Sequence, residues 1–429
     1  MVLAGFTHKS SERRGRGVPT DSEESLEELA QLALSAGATV EGTLVQTRDA
    51  DAATLIGSGK VRELGELVGA SQADSVIFDS DLSPTQQRNL ENALGVKVLT
   101  RTQLILDIFA SRARTREGRL QVELAQLKYM LPRLTGQGTA LSRLGGGIGT
   151  RGPGETKLET DRRRIAKRIR KIEGDIEAVR NGRMLHRAKR ESVPLPLIAL
   201  AGYTNAGKST LFNRLTGADV LADARMFATL DPTVRFLRLP SKRQALLSDT
   251  VGFIRNLPAT LVQAFRATLE EVQEADVVLH VRDVSSEETE AQAHDVREVL
   301  KQLHTGEHGQ VLIEVWNKID LLEPEDREAW EAKARRMESH PEHKAVALSA
   351  VTGEGCDHLL EILARLVDDE AAIEADLDPA DGAALAWLYR HGRVVSREER
   401  PDGGMRLEVR LDPQALGRFE RLYPNARVG

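Results

Sequence analysis

The stretch that decides the fold of this chain is Gly202-Tyr203-Thr204-Asn205-Ala206-Gly207-Lys208-Ser209-Thr210. An apolar run over residues 195–201 precedes it and is typical of a short buried strand, and residues 211–215 continue with helical spacing. A glycine-rich turn between a strand and a helix, with the spacing G-x-x-x-x-G-K-S, predicts a phosphate-binding loop. All nine residues are therefore candidate nucleotide-binding residues, and residues 202–210 are called the phosphate loop below.

The residue types in the phosphate loop suit this chemistry. Glycines let the backbone fold tightly, so that successive N–H groups point at phosphate oxygens, and the following helix adds the positive end of its dipole. Lys208 is expected to reach the β- and γ-phosphates and to act in catalysis, and Ser209 to place its hydroxyl on Mg²⁺. The alternative is a plain glycine turn, but the complete motif in this context favours a nucleotide site.

Two segments downstream are candidates for contact with Mg²⁺ and the γ-phosphate. Asp249-Thr250-Val251-Gly252 follows a predicted strand, and Asp249 is expected to hold Mg²⁺ through a water while Gly252 offers its N–H to the γ-phosphate. Phe227-Ala228-Thr229-Leu230-Asp231-Pro232-Thr233 is typical of a mobile sensing segment. Thr229 is the expected Mg²⁺ ligand, with Thr233 as the alternative, and residues 227–231 are expected to line the nucleotide.

A second pair of segments predicts recognition of guanine. In Asn317-Lys318-Ile319-Asp320, the Asp320 carboxylate can accept two hydrogen bonds from guanine, and the aliphatic part of Lys318 would cover the base. Adenine has no such donor pair and would leave the carboxylate unpaired, at a cost of about 1–3 kcal/mol or more. Ser349-Ala350-Val351 ends a predicted strand and would offer a backbone N–H to the guanine O6. The order of these segments along the chain makes the assignment to guanine specific.

The residue after Asp249-Thr250-Val251-Gly252 bears on the rate of hydrolysis. Many nucleotide switches carry a glutamine there that orients the attacking water, whereas this chain has Phe253. An apolar ring cannot orient water. We therefore expect slow intrinsic hydrolysis that a partner stimulates.

Length and composition bound the rest of the chain. With 429 residues, 41% hydrophobic content and a mean hydropathy of −0.33, it is expected to fold as about three soluble domains. No apolar run is long enough to span a membrane, residues 1–6 lack the apolar core expected of a secretion signal, and the single cysteine agrees with a reducing cytoplasm. No zinc-type spacing occurs. We expect a cytoplasmic protein that is a monomer.

The pattern of strands and helices predicts an α/β fold in several parts. The central part is a doubly wound parallel sheet with the phosphate loop, preceded by a small α/β domain and a basic helical hairpin and followed by a small α+β unit. Residues 368–381 are expected to form an acidic linker. The predicted divisions are a flexible arm over residues 1–22, an N-terminal α/β domain over 23–110, the hairpin over 111–192, a G domain over 193–370 and a C-terminal domain over 371–429.

Gly57-Ser58-Gly59-Lys60, inside the N-terminal α/β domain, resembles part of a second phosphate loop. The motif requires glycine where Thr54 stands, and Ser or Thr where Val61 stands. The segment is therefore interpreted as the turn that begins a helix.

The net charge of −6 hides a basic segment. Residues 111–190 hold 21 basic and 8 acidic side chains, a net charge of +13, so the remainder carries −19. Residues 118–135 and 157–190 have the apolar periodicity of two long helices, which predicts an antiparallel hairpin, with Pro132 expected to kink the first helix. A solvated charged face is the alternative, but the charge excess favours contact with nucleic acid.

Between the two helices, glycine occupies six of the ten positions from 145 to 154. A backbone without side chains can approach a ligand closely, which favours a docking tip over the alternative of a disordered linker. The candidate RNA-contacting residues of the tip and the second helix are Gly145, Gly146, Gly147, Gly149, Arg151, Arg163, Lys167 and Arg170.

Several of these segments together resemble the HflX family, which is related to the translational GTPases. The resemblance rests on residues 55–61, 121–127, 145–159, 227–233 and 249–254 and covers roughly residues 30–370. It implies a GTPase with Mg²⁺ as cofactor that binds the large ribosomal subunit near the peptidyl transferase centre and splits stalled or idle ribosomes. It also implies that ATP is accepted. Composition and spacing do not show ribosome binding, and the role of the C-terminal unit stays open.

Two other function classes are considered. One is an RNA-binding or helicase-like NTPase that uses ATP in ribosome or RNA remodelling, with the N-terminal domain taking the adenine nucleotide. The other is a membrane-recruited signalling GTPase, which the lack of a lipidation signal or amphipathic anchor disfavours. The partners we expect are GTP and GDP, the large ribosomal subunit and its rRNA.

Overall fold

The structure is a computed structural model that describes residues 1–8, 20–136, 153–188, 195–218, 226–227, 229–255, 266–302, 310–338, 344–367, 371–377, 382–399, 404–411, 413–423 and 426. The chain falls into two compact units. The first holds Met1–Leu237 and Gln244–Cys356, and the second holds Arg238–Arg243 and Asp357–Gly429.

A parallel four-stranded sheet begins the first unit. Its strands are β1 (Val2–His8), β2 (Gly42–Arg48), β3 (Ser75–Phe78) and β4 (Lys97–Thr100), in the order β2-β1-β3-β4. The expected flexible arm is therefore wrong over Val2–His8, which pairs with a strand on each side and buries Val2 and Leu3 fully. Both partner strands lie far along the chain, so local sequence does not show this pairing. Residues 9–19 lie outside the described part.

Four helices connect these strands and follow them: α1 (Thr20–Ser35), α2 (Ser58–Ser71), α3 (Pro84–Leu94) and α4 (Arg101–Arg112). Ser83 and Thr100 each cap a helix in a reciprocal capping box, so local sequence decides where α3 and α4 begin. Gly57 is the N-cap of α2, and Lys60 pairs with Glu63 one turn later. This segment therefore begins a helix, as expected.

Two further helices form the basic region. They are α5 (Arg116–Met130), which continues as a 3₁₀ helix over Leu131–Gly136, and α6 (Pro153–Ala188). Pro132 lies in the 3₁₀ segment, because a proline ring cannot continue the α-helix. The two helices pack together, with Arg168 bonded to Glu123 and Lys128 to Glu173. Residues 137–152 lie outside the described part, so the glycine-rich tip and the antiparallel turn stay predictions.

A six-stranded sheet carries the phosphate loop. Its strands are β5 (Leu197–Gly202), β6 (Thr233–Arg238), β7 (Gln244–Asp249), β8 (Val277–Asp283), β9 (Val311–Asn317) and β10 (Lys344–Ala347), in the order β10-β9-β8-β5-β7-β6. The pairs β5–β7, β5–β8, β8–β9 and β9–β10 are parallel. The helices of this region are α7 (Lys208–Thr216), α8 (Arg266–Gln273), α9 (Thr289–Gln302) and α10 (Pro324–Glu338). The edge strand β6 was not expected from sequence.

A buried ionic cluster ties β8 to β9. The Glu314 carboxylate accepts hydrogen bonds from Arg282 Nη1 at 2.7 Å and from Trp316 Nε1 at 3.0 Å, and His280 Nδ1 lies 3.7 Å away. Burial alone would raise the pKa of Glu314, but His280, Trp316 and Arg282 outweigh burial and hold the pKa well below its usual range. The cluster is thus a charged brace inside the sheet.

The second unit is a small α+β arrangement. Its elements are α11 (Cys356–Val367), β11 (Ala371–Leu377), α12 (Gly382–His391), β12 (Arg393–Glu399), β13 (Met405–Leu411) and α13 (Pro413–Leu422). The sheet is antiparallel in the order β11-β13-β12, and Leu407, Val409 and Phe419 lie in its core. The expected acidic linker is wrong over Ala371–Leu377, because the alternating apolar residues of this segment pair with β13 and bury Ile373 and Ala375.

The predicted α/β fold class is confirmed: a P-loop sheet with helices, preceded by an α/β and helical region and followed by a small C-terminal unit. None of the described helices combines the length and the apolar character that crossing a membrane requires.

Candidate nucleotide site

The phosphate loop lies at the carboxyl end of β5, where an open α/β sheet places its ligands. Lys208 is 6% exposed, and its Nζ donates to Gly202 O at 3.1 Å and Tyr203 O at 2.7 Å. An ammonium group has three donors, so within the described residues one donor is left for a phosphate oxygen. Burial lowers the pKa of Lys208 to about 8, against the opposing charge of Asp249.

Asn317 connects the phosphate loop to the segment Ser349-Ala350-Val351. Its Nδ2 donates to Ala206 O at 2.8 Å, and its Oδ1 accepts from Ala350 N at 2.9 Å. Gly207, with φ +93°, must be glycine here because a Cβ would overlap the Asn317 amide. Asn317 therefore connects the phosphate loop to the loop after β10, and its NH2 group has a second N–H donor besides the one bonded to Ala206 O.

Three oxygen-bearing side chains meet beside Lys208. Ser209 Oγ and Thr229 Oγ1 donate to Asp249 Oδ2 at 2.7 and 2.8 Å, and the two hydroxyls are 3.0 Å apart. The second carboxylate oxygen, Asp249 Oδ1, is buried and has no hydrogen-bond partner among the described residues. Burial raises the pKa of Asp249, although Lys208 opposes this. Two hydroxyls and an unsatisfied carboxylate oxygen fit Mg²⁺, which prefers oxygen ligands. Thr233, the alternative to Thr229, lies in β6.

The segment after Asp249 pairs with the phosphate loop. Phe253 N donates to Gly202 O at 3.1 Å, and Thr204 N donates to Phe253 O at 2.7 Å. A Cβ on Gly252 would lie 2.8 Å from Thr204 Cγ2 and 3.0 Å from Lys208 Nζ, so only glycine allows this approach. The Phe253 ring is 2% exposed. It lies in the core and cannot orient a water molecule.

The predicted base-contacting residues lie after the carboxyl ends of β9 and β10. Lys318, in the left-handed region at φ +69°, bonds through Nζ to Asp283 Oδ2 at 2.6 Å, which fixes its side chain. Asp320 lies in a 3₁₀ turn and is exposed, whereas Ser349 and Ala350 are buried and Val351 is 64% exposed. This arrangement leaves the Asp320 carboxylate accessible to a base.

Sequence reasoning missed Arg214 and Glu28, which shape the site, and it missed the side-chain contacts of Tyr203. Arg214, on α7, donates through Nε to Ala350 O at 3.2 Å and through Nη2 to Val351 O, so it supports the loop after β10. Tyr203 OH donates to Glu28 Oε1 of α1 at 2.7 Å and accepts from Arg255 N at 2.6 Å. Burial raises the pKa of Tyr203. No local motif marks these contacts, since they join parts of the chain far apart in sequence.

Some of the remaining predicted site residues lie in the described part of the chain and others lie outside it. Thr210 lies in α7, Thr250 and Val251 are buried beside Asp249, and Phe227 and Leu230 are buried. Ala228 and the tip residues Gly145, Gly146, Gly147, Gly149 and Arg151 lie outside the described residues.

The exposed face of α6 is strongly basic. Arg163 pairs with Glu159 at 2.5 Å and Arg164 lies 3.7 Å from Asp161, both within the helix. Four further basic side chains of this face are exposed and form no ion pair within the described part of the chain: Arg162, Lys167, Arg170 and Lys171.

The doubly wound sheet, the phosphate loop and the segments that surround it define a P-loop nucleoside triphosphatase of the GTPase class. The site lies within the first unit, at the carboxyl ends of β5, β7 and β9.

Comparison with known families identifies the chain more closely. Residues 23–110 match the family described as GTP-binding GTPase N-terminal and residues 112–190 the GTP-binding GTPase Middle Region. Residues 197–318 match the 50S ribosome-binding GTPase family, and residues 334–427 match the HflX C-terminal domain.

Two proteins of similar sequence support the same family assignment. GTPase HflX of Caldanaerobacter subterraneus subsp. tengcongensis is 49% identical over 380 residues, which cover 88% of this chain and 85% of that protein. GTPase HflX of Escherichia coli (strain K12) is 43% identical over 390 residues, 90% of each protein. A crystal structure of a GTP-binding protein from Sulfolobus solfataricus in complex with GDP is 24% identical, with a TM-score of 0.44 over 86% of this chain and 99% of that chain. The chain belongs to the HflX family and is a GTP-binding protein and GTP hydrolase.

Proposed function

We propose that this GTPase binds the large ribosomal subunit through its basic helices and uses GTP to split stalled or idle ribosomes. The observation that carries the proposal is the exposed basic face of α6, where Arg162, Lys167, Arg170 and Lys171 have no acidic partner within the described residues. Exposed cations of this kind suit the closely spaced phosphates of folded RNA. The match of residues 197–318 to a ribosome-binding GTPase family supports the choice of ribosomal RNA.

The nucleotide chemistry follows from the residues around Lys208. Lys208 would bind the β- and γ-phosphates with its remaining donor, and Gly252 N would bind the γ-phosphate. Ser209, Thr229 and Asp249 would hold Mg²⁺, which neutralises charge on the phosphates when it is bound. Asp320 would accept hydrogen bonds from guanine, while Lys318 covers the base. Since ribosomes are cytoplasmic, this function places the protein in the cytoplasm.

Slow intrinsic hydrolysis is the second part of the proposal. The Phe253 side chain is buried, and its backbone is bonded to Gly202 and Thr204, so this position offers no polar group to the attacking water. A ribosomal partner would have to supply that orientation or move this segment.

Co-sedimentation with purified large subunits tests the RNA contact. The variant Lys167→Glu/Arg170→Glu should bind at least tenfold more weakly with a non-hydrolysable GTP analogue, and its affinity should depend less on salt than that of the wild type. The matched control is Arg335→Glu/Arg336→Glu on α10, which changes the charge equally at another helix of the first unit. Equal binding by wild type and the α6 variant, at unchanged melting temperature, would rule out the α6 face as the RNA contact.

A further inference from the structure

Residues 226–233 are called the switch segment. They contact the N-terminal half of the chain on both sides of Thr229. On the first side, Met226 N donates to Ser35 Oγ of α1 at 2.9 Å. The Phe227 ring packs edge-on against Phe109 of α4, with 4.6 Å between ring centroids. Met226 and Phe227 are 8% and 3% exposed, so this side is anchored in the shared hydrophobic core of the first unit.

Phe227 has an uncommon backbone conformation. Its φ of +57° lies in the left-handed region, which a bulky residue rarely adopts. Such a conformation persists where the surrounding packing holds it. The Phe109 contact supplies that packing, so the backbone just before Thr229 is held by residues outside the GTPase sheet.

On the second side, Asp231 is seated at the beginning of α5. Its Oδ2 accepts from Arg114 N at 2.8 Å and from Thr115 N at 2.9 Å, and its Oδ1 accepts from the Thr115 hydroxyl. Thr115 is also the N-cap of α5, with Oγ1 accepting from Gly118 N at 3.0 Å. A carboxylate at this end of a helix also meets the positive end of the helix dipole.

Gly118 gives independent evidence that the seat is shaped for Asp231. A Cβ at this position would overlap Asp231 Oδ1. Glycine lowers helix stability relative to alanine, so helix formation alone does not explain glycine in the first turn of α5. Its lack of a side chain is what admits the carboxylate.

We propose that Asp231 is a positioning residue for GTP hydrolysis: seated against Arg114, Thr115 and Gly118, it holds Thr229 where it meets Ser209 and Asp249. Thr229 lies two residues from Phe227 and two from Asp231, so both anchors restrict its backbone. The inference rests on the proposed role of Thr229 as a ligand of Mg²⁺. It adds that the start of the basic helix α5 is part of the GTPase machinery, so a movement of α5 would reach the switch segment directly.

Three substitutions in the full chain test this, each measured in three ways. Asp231→Asn keeps the shape of the side chain but removes its negative charge, Thr115→Ala removes the cap and one contact, and Gly118→Ala overlaps Asp231 while favouring the helix. Each should lower kcat for GTP by roughly tenfold or more, since charge-assisted hydrogen bonds are lost. Affinity for a non-hydrolysable GTP analogue at limiting Mg²⁺ should fall, whereas affinity for GDP should stay within twofold. Amide hydrogen exchange of residues 229–238 should speed up in the nucleotide-free protein.

Ser83→Ala is the matched control, because it removes the N-cap of α3 at a similar cost in stability but touches no part of the switch segment. It should leave all three measurements unchanged, and Thr115→Ser should restore them. The inference is overturned if Asp231→Asn keeps kcat and exchange within twofold of the wild type, or if Ser83→Ala lowers kcat as much as Thr115→Ala. Thr229→Ala separates the two proposals: if it leaves kcat unchanged, the role of Thr229 fails and the inference fails with it. If Thr229→Ala lowers kcat and Asp231→Asn does not, only the positioning role of Asp231 fails.

Discussion

Replacing Asn317 with alanine should separate the two loops that enclose the nucleotide. The Asn317 amide is 2% exposed and bonds to Ala206 O in the phosphate loop and to Ala350 N after β10. Alanine can replace neither bond. Both backbone groups are buried, and alanine leaves each without this partner.

The size of the effect follows from those two bonds. A buried polar group that loses its partner costs about 1–3 kcal/mol, so the two losses together amount to about 2–6 kcal/mol. Part of this cost falls on the stability of the nucleotide-free protein. The remainder falls on binding, where each 1.4 kcal/mol is about a tenfold change, so the Kd for GTP should rise at least tenfold.

Titration with a fluorescent GTP analogue and urea unfolding measure the two parts. Asn89→Ala is the control, since the Asn89 amide donates to Ala53 O at an exposed site in the N-terminal region. It should change the free energy of unfolding by less than about 0.5 kcal/mol and leave GTP affinity intact. If Asn317→Ala binds GTP within twofold of the wild type and unfolds at the same urea concentration, the two Asn317 bonds contribute neither to GTP binding nor to stability.

Three further predictions concern specificity, pH and stability. Asp320→Asn inverts the hydrogen-bonding pattern at the exposed base site, so competition assays should show weaker GTP binding and a gain for xanthine nucleotides; GTP affinity within twofold of the wild type would contradict this. Because burial lowers the pKa of Lys208 to about 8 and a phosphate favours its protonated form, GTP binding takes up a proton above pH 8. The Kd for GTP, measured between pH 7.5 and 9.5, should therefore rise by up to about tenfold per pH unit above 8, and a flat profile would refute it. Glu314→Gln leaves the buried charge of Arg282 with the exposed Glu290 as its remaining carboxylate partner in the described part of the chain, so urea unfolding at pH 7 should show a loss of up to about 3–5 kcal/mol. Since the pKa of Glu314 is lowered on folding, its contribution is present above the unfolded pKa near 4.5 and is lost as pH falls through the folded pKa. The difference from the wild type should therefore shrink in acid, and an equal difference at pH 3 and pH 7 would contradict the cluster's role.

Local signals in the sequence were enough to place much of the fold. Helix α7 runs over Lys208–Thr216 and includes residues 211–215, whose helical spacing predicted it, because the phosphate loop determines where it begins and Gly217 where it ends. Ser83 predicts the start of α3 through its capping box. Strand β11 has a period-two apolar pattern over Ala371–Leu377, but the acidic residues in and around it favoured the prediction of a linker.

The missed elements depend on distant parts of the chain. Strand β1 is stable because β2 and β3 flank it, and neither lies near it in sequence. In the site, the motifs predicted which residues gather around Lys208 but not what holds them. The contacts of Tyr203 with Glu28 and of Asp231 with Thr115 join residues 175 and 116 positions apart. Such pairs have no local pattern, because they arise only when distant parts of the chain pack together within the first unit.

The rate of GTP hydrolysis by the full chain, measured at increasing concentrations of purified large ribosomal subunits, tests the central claim most directly. We expect slow turnover by the protein alone and a rise that saturates with subunit concentration, because the Phe253 side chain is buried and cannot orient water. Lys208→Ala should abolish turnover in both conditions. Fast turnover without subunits, or a rate that subunits leave unchanged while Lys208→Ala abolishes it, would contradict the account.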